Sequence, residues 1–142
     1  MRKRDAITVR RADRSEWHRV ETFYLERKYR GVLSPSAIVV VAERGPELIG
    51  LGRVQLEDGV LVLRGMRIDP RFQRRGVGTR ILDRLVGDIG GQPCYCIPYT
   101  HLRGFYGRAG FVEVDLDAAP SFLRDRVFDY RATGLDVLLM RK

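Results

Sequence analysis

The chain has 142 residues, and 44% of them are hydrophobic, which suffices for a substantial core and argues against disorder. No apolar run approaches the roughly 20 residues of a membrane span, and residues 7–10 are too short and polar for a signal core. The sequence therefore predicts one domain over residues 1–142, a cytoplasmic location and no membrane partner.

A net charge of +8, carried almost wholly by arginine, favours an anionic partner. No helix-turn-helix, zinc finger or aromatic RNA-binding signature is visible, so we expect no specific nucleic-acid partner.

The first half of the chain predicts a strand, a helix and three more strands. Residues 7–10 alternate apolar and polar side chains, as a strand does. Asp13 and Glu16 have capping-box spacing before a helix. The apolar face of that helix contains Trp17, Val20, Phe23 and Tyr24.

Three apolar stretches joined by short turns predict an antiparallel meander. They are residues 37–42, 48–54 and 60–68. Gly65 lies inside the third stretch, where a glycine indicates a bulge or the close approach of another backbone.

The second half predicts helices and strands in alternation. The helices are residues 77–89, 101–108 and 120–130, and the strands are residues 94–98, 111–114 and 135–140. The first of these helices joins two strands as a parallel crossover.

Cys94 and Cys96 share one face of a predicted strand, where they cannot easily form a disulfide. We expect both to be small core residues, with a reactive thiol as the alternative. The two histidines provide no zinc-ligand spacing, so we expect no metal site.

A glycine-containing loop, residues 69–79, separates the third meander strand from the following helix. Strand, glycine loop and helix N-terminus together present backbone N–H groups to a phosphate. Gly76 permits a turn that a residue with a Cβ would resist, and Gly78 lets an anion approach the first helical turn. The loop lacks the Gly-Lys-Ser/Thr of nucleoside-triphosphate loops and the small residues of the dinucleotide fingerprint.

This loop resembles the acetyl-coenzyme A loop of the GCN5-related N-acetyltransferases (GNAT). The matching residues are Gln73-Arg74-Arg75-Gly76-Val77-Gly78, preceded by Asp69-Pro70. A second stretch, Tyr106-Gly107-Arg108-Ala109-Gly110-Phe111, resembles the Tyr-x-x-x-Gly-Phe signature of the same family. The resemblance implies an α/β fold with a mixed, mostly antiparallel sheet flanked by helices and a cleft between the fourth and fifth strands.

The resemblance also implies the coenzyme site. Main-chain groups of the third meander strand would pair with the pantetheine arm, namely those of Met66, Arg67 and Ile68. Loop residues would hold the pyrophosphate, namely Gln73, Arg74, Arg75, Gly76, Val77, Gly78 and Thr79. The first helix and the loop after it, residues 31–35, would help shape the acceptor site.

Tyr106 is the first candidate catalytic residue, since family tyrosines at this position often protonate the departing thiolate. A buried aromatic that only packs is the alternative. His101 is the candidate general base, because the positive end of a helix favours a neutral imidazole. A surface capping histidine, a water relay and an amine that arrives neutral are its alternatives. Asp69 ends its strand, while Glu43, Glu57 and Asp58 lie at turns or strand ends where solvent is expected.

These residues predict direct transfer of acetyl from acetyl-coenzyme A to a primary amine, either a small amine or a peptide amine. A non-catalytic acyl-coenzyme A sensor on the same fold is the alternative, and a basic nucleic-acid-binding protein is a third interpretation. Net positive charge disfavours polyamines as acceptors and favours anionic amines. The chain could form a homodimer.

Overall fold

A computed structural model describes residues 6–29 and 32–142. In chain order these residues form β1 (Ile7–Arg11), α1 (Trp17–Glu26), β2 (Ile38–Arg44), β3 (Glu47–Glu57), β4 (Val60–Ile68), α2 (Val77–Ile89), β5 (Cys94–Cys96), α3 (Arg103–Gly107), β6 (Val112–Glu113), α4 (Ser121–Ala132) and β7 (Met140–Arg141). Hydrogen bonding orders the strands β1-β2-β3-β4-β5-β7-β6. β4 and β5 pair in parallel, whereas β1–β2, β2–β3, β5–β7 and β6–β7 are antiparallel. The predicted α/β fold with a mixed, mostly antiparallel sheet is confirmed.

The chain divides into two compact units, which we describe separately. The first comprises Met1–Gln55 and Arg64–Gly90, and the second comprises Leu56–Leu63 and Gly91–Lys142. A single domain over residues 1–142 stays a prediction. Residue 31, the first of the predicted acceptor loop, lies outside the described residues. None of the helices in the described ranges is long and apolar enough to cross a membrane.

In the first unit, α1 begins where the capping box predicts. The Glu16 carboxylate accepts a hydrogen bond from the Asp13 backbone N–H at 2.8 Å, which closes one short 3-10 turn before α1. The buried face of α1 packs on the inner side chains of β2 and β3. This core cluster contains Ala12, Val20, Phe23, Tyr24, Val39, Val41 and Leu51.

The predicted bounds of α2, residues 77–89, agree with the structure because its apolar side chains recur at helical spacing. α2 packs on two glycines of β3. A Cβ at Gly50 would lie 3.4 Å from Ile81, and one at Gly52 would lie 3.3 Å from both Ile81 and Leu85. The absence of side chains at these positions allows the helix to pack close to the strand.

In the second unit, α4 covers the strands with a small core of its own. That core contains Val62, Leu123, Val127, Val137 and Leu139. Cys94 and Cys96 are buried at 0% and 2% exposure, as predicted for core residues. Burial raises the pKa of the Cys94 thiol to about 12, so this group stays protonated at neutral pH.

All three predicted strands of this unit are shorter than expected, and β6 covers Val112–Glu113 rather than residues 111–114. β5 ends at Cys96 rather than at residue 98, since Pro98 has no N–H to donate to a neighbouring strand. Of the predicted strand 135–140, only Met140 lies in a regular strand, which continues to Arg141. Val137 instead makes an isolated bridge with Tyr99, and the Leu138 N–H donates to the Pro98 carbonyl at 3.1 Å.

Gly65 occupies a conformation that the rest of β4 does not share. Its φ is +68°, and its carbonyl accepts a hydrogen bond from the buried Tyr24 hydroxyl at 2.9 Å. A Cβ at Gly65 would overlap the Tyr24 hydroxyl and lie 2.7 Å from Nη1 of Arg53. The close approach predicted here is therefore made by side chains of α1 and β3 rather than by another backbone.

We expect Gly65→Ala to lower the free energy of unfolding by roughly 2–5 kcal/mol, because left-handed strain and overpacking add. Urea denaturation measures the loss. Gly59→Ala is the matched control, because Gly59 has φ +83° and a Cβ there would meet no atom within 4 Å. In Gly59→Ala the free energy of unfolding should fall only by the left-handed strain, roughly 1–2 kcal/mol. Equal losses in the two variants would contradict the packing role of Gly65.

Candidate active site

Hydrogen bonds fix the start of the loop between β4 and α2. The Asp69 backbone N–H donates to the Ile49 carbonyl at 2.8 Å, and its Oδ1 accepts from the Arg71 backbone N–H at 3.0 Å. These bonds hold a 3-10 turn over Pro70–Phe72, and Phe72 is buried at 2% exposure. The exposed residues that follow are thereby anchored on the first unit.

Three guanidinium groups surround Phe72. The guanidinium carbons of Arg44, Arg71 and Arg75 lie 4.8, 5.2 and 5.5 Å from the ring centroid. A ring face stabilises cations at such distances. Arg44 and Arg71 are also paired with the carboxylates of Glu47 and Asp69, so the base of the loop combines three cations with two anions and keeps only a small positive excess.

Gly76 begins α2 in the left-handed region, with φ +77° and ψ 7°. A Cβ at this glycine would meet no atom within 4 Å, so the space in front of the turn is open. The first intrahelical bond runs from the Arg80 N–H to the Gly76 carbonyl at 3.1 Å. The N–H groups of Val77 and Gly78 come before that bond at the helix N-terminus, where the helix dipole adds positive potential. This arrangement fits the pyrophosphate of a coenzyme.

The structure brings the end of β4 and the loop together. Gln73 Nε2 donates to the Ile68 carbonyl at 3.2 Å, and Arg67 Nη1 donates to the Met66 carbonyl at 2.8 Å. Two of the predicted coenzyme-pairing carbonyls therefore already accept side-chain hydrogen bonds. Each carbonyl oxygen has a second lone pair for a ligand amide.

The two predicted catalytic residues lie in the second unit in different surroundings. Tyr106 is buried at 6% exposure, and its ring meets Phe105 and Phe111 edge to face at centroid distances of 4.9 and 6.0 Å. His101 is exposed in the 3-10 turn before α3, and its ring stacks on Tyr99 at 5.7 Å. The roles of both residues stay predictions.

The expectation that Glu43 and Glu57 are solvated was wrong. Glu43 is only 9% exposed and accepts hydrogen bonds from Arg10 at 2.8 Å and Arg19 at 2.7 Å. Glu57 accepts from Arg126 at 2.8 Å, and its side chain is 15% exposed. In a chain so rich in arginine, carboxylates at strand ends find partners on neighbouring elements.

These ion pairs make the carboxylates poor bases. Burial alone would raise the pKa of Glu43, but the hydrogen bonds from Arg10 and Arg19 outweigh it and hold this pKa below its ordinary value. Hydrogen bonds from Arg71 likewise hold the pKa of Asp69 below its ordinary value. Neither group is suited to take a proton near neutral pH.

Sequence reasoning missed the structural roles of Phe72 and Tyr24. Phe72 interrupts a run of polar loop residues, and that isolation was the available signal. Tyr24 was assigned to the core, as the structure shows, but its hydroxyl also holds the β4 backbone at Gly65. Periodicity cannot reveal such a hydrogen bond.

Solved structures share this fold at low sequence identity. The ribosomal-protein-S18-alanine N-acetyltransferase of Escherichia coli has a TM-score of 0.68 at 12% identity, covering 96% of this chain and 92% of that one. An acyl-CoA N-acyltransferase from Pseudomonas aeruginosa has a TM-score of 0.64 at 21% identity, covering 96% and 99%.

A third structure is longer than this chain. The N-acetylglutamate synthase of Neisseria gonorrhoeae, complexed with coenzyme A and N-acetyl-glutamate, has a TM-score of 0.67 at 16% identity. The match covers 96% of this chain and 35% of the synthase, so this chain spans about a third of that protein.

The sequence comparisons give the family. No curated protein matches the chain. A family model described as "Acetyltransferase (GNAT) domain" matches residues 35–113, which is more than half of the chain and includes both the glycine loop and the Tyr106 motif. The chain therefore belongs to the GNAT family of acetyltransferases.

Proposed function

We propose that the protein transfers the acetyl group of acetyl-coenzyme A directly to a primary amine. The proposal rests mainly on the conformation of Gly76. This glycine is left-handed at the start of α2, and the space in front of it is empty. Family membership supports the reaction class. The Neisseria gonorrhoeae synthase in complex with coenzyme A supports the choice of donor.

In this proposal the main-chain amides of residues 74–79 hold the pyrophosphate of the coenzyme. The main chain of residues 66–68 pairs with the amide-bearing pantetheine arm, as an added strand would. The existing hydrogen bonds from Arg67 and Gln73 show that carbonyl groups of this segment are accessible to donors outside the ladder. The Arg75 guanidinium beside Phe72 adds favourable potential for the phosphates, whereas those of Arg44 and Arg71 are paired with carboxylates.

The acetyl transfer itself joins amine and acyl group in one displacement. The amine nitrogen attacks the thioester carbonyl, the C–N bond forms, and the C–S bond breaks to release a thiolate. Tyr106 donates its phenolic proton to that thiolate. The nitrogen loses a proton to His101, to a water molecule or to solvent, and the amide product leaves.

A coenzyme sensor without turnover is the second candidate function. The observation that favours it is the engagement of Glu43, Glu57 and Asp69 in ion pairs with arginines. These carboxylates are the groups from which a general base would most readily come. A cytoplasmic location and a homodimer stay predictions from the sequence.

We expect Gly76→Asp to weaken binding of acetyl-coenzyme A by roughly 100-fold or more, about 2.7 kcal/mol, because a carboxylate would enter the phosphate site. Titration calorimetry measures the affinity. Gly134→Asp is the matched control, since Gly134 also has positive φ and open space, in the second unit. That variant should bind normally. Unchanged affinity in Gly76→Asp would remove the loop from the coenzyme site.

We expect Tyr106→Phe to lower turnover by roughly 10²–10⁴ while coenzyme affinity stays the same, because only the hydroxyl is removed. Release of free coenzyme thiol, with a panel of amines as acceptors, measures turnover. Full turnover in the variant would show that Tyr106 only packs. Coenzyme binding by the parent without turnover on any amine would favour the sensor.

The dependence of turnover on pH tests the base in the same assay. If a base must lose its proton before the reaction, turnover rises with pH through the pKa of that base. His101→Ala should abolish this rise in turnover if His101 is the base. An unchanged rise in the variant would exclude His101 and leave the water relay or the neutral amine.

A further inference from the structure

Arg53 is a buried charge in the middle of β3. The residue is 0% exposed, and an arginine stays protonated in a protein. Its Nε donates to the Gln55 side-chain oxygen at 3.0 Å, and its Nη2 reaches the Val32 carbonyl only at 3.4 Å. Its Nη1 is buried and makes no hydrogen bond of normal geometry to the described residues, although the Tyr24 hydroxyl lies near enough to interact with the guanidinium. The charge is therefore incompletely compensated.

A second guanidinium group lies against the same aromatic ring. The guanidinium carbons of Arg53 and Arg67 lie 5.4 and 4.6 Å from the Tyr29 centroid, and that of Arg53 lies 5.2 Å from the Tyr24 centroid. We call these four residues the arginine–tyrosine cluster. Tyr29 and Arg67 are half-buried, so the cluster reaches solvent on their side.

The cluster differs from four other partly buried arginines in its lack of acidic partners. Within residues 6–29 and 32–142, the hydrogen-bond partners of Arg53 and Arg67 are carbonyl and amide oxygens. By contrast, carboxylates pair with Arg10, Arg19, Arg27 and Arg126.

This arrangement is costly unless an anion completes it. A buried charge without a counter-ion loses hydration that ring faces replace only in part. A second cation on the same ring adds repulsion. A water molecule could accept a hydrogen bond from Nη1, but it would not neutralise the charge.

We propose that the arginine–tyrosine cluster binds a carboxylate of the acceptor, which makes the acceptor an amino acid or another small amino-carboxylate. The inference rests on the proposed function, because Arg67 belongs to the β4 segment assigned to the pantetheine arm. Guanidinium groups bind carboxylates through paired, charge-assisted hydrogen bonds.

The test compares amino acids with the same amino acids as carboxamides, using acetyl-coenzyme A and the release of free thiol. For the preferred side chain we expect kcat/KM to be at least about 100-fold higher for the acid, because an amide leaves the guanidinium groups uncompensated. Arg53→Met should reduce that ratio to near one. Its Tm and coenzyme affinity should be unchanged or higher, since apolar replacement of an uncompensated buried charge is often neutral or stabilising.

Two further variants keep the test interpretable. Arg84→Met removes the same charge from an exposed ion pair with Asp88 and should keep the acid preference. Arg67→Met should lose the preference while keeping its main-chain groups, and it serves if Arg53→Met does not fold. If Arg53→Met and Arg67→Met both retain the preference for the acid, the inference is wrong. A buried water would then be the partner of Arg53 Nη1.

Binding extends the test to a protein that does not turn over. Calorimetry with coenzyme A present compares N-acetyl amino acids with their amides as probes. Carboxylate-dependent binding that Arg53→Met or Arg67→Met abolishes supports the inference, and binding without such dependence, or none at all, overturns it. Failure of coenzyme A itself to bind would contradict the proposed function, whereas coenzyme binding without acid preference would contradict only the carboxylate site.

Discussion

The left-handed turn at Gly76 is the constraint on which the proposed coenzyme site depends. The chain must leave β4, turn and start α2 within a few residues, and Gly76 makes that turn at φ +77°. Phe72 holds one side of the loop in the core. On the other side, Ile81 and Leu85 pack against side-chain-free positions of β3 and fix the direction of α2. The first-turn amides are thereby oriented before any ligand arrives, which lowers the ordering cost of binding.

Ion pairs connect several elements of the first unit and set the ionisation state of its carboxylates. Arg10 and Arg19 bind Glu43, which joins β1, α1 and β2, and Arg71 binds Asp69 and Glu47, which joins the loop to β3. The same pairs hold these carboxylates in their ionised form and remove them as bases. Arg53, by contrast, has amide and carbonyl oxygens as its hydrogen-bond partners. We therefore assign Arg53 a role in binding rather than in structure.

Much of the fold was predictable because amphipathic periodicity and glycine positions are strong signals. β4 and α2 have the predicted bounds, and Gly76 has the positive φ that its predicted turn suggested. The last strand was overpredicted, because the burial of residues 137–139 reflects packing under α4 and irregular pairing rather than a regular ladder.

The candidate site was predictable only where a motif determines the backbone. Side-chain pairing between distant elements has no sequence signature, so the burial of Glu43 between Arg10 and Arg19 was missed. The burial of Arg53 was missed for a related reason. A single arginine in a strand is typical of a solvated position. In the structure Arg53 instead packs against the rings of Tyr24 and Tyr29, which are distant in sequence.

Amide NMR spectra recorded during titration with coenzyme A test the central claim most directly. The loop amides should respond to the pyrophosphate itself, so the backbone N–H signals of residues 76–79 should show the largest shifts with coenzyme A. Pantetheine, which lacks the pyrophosphate, should leave those signals in place at concentrations that move the signals of residues 66–68. Binding of coenzyme A that leaves the signals of residues 76–79 unchanged would contradict the account.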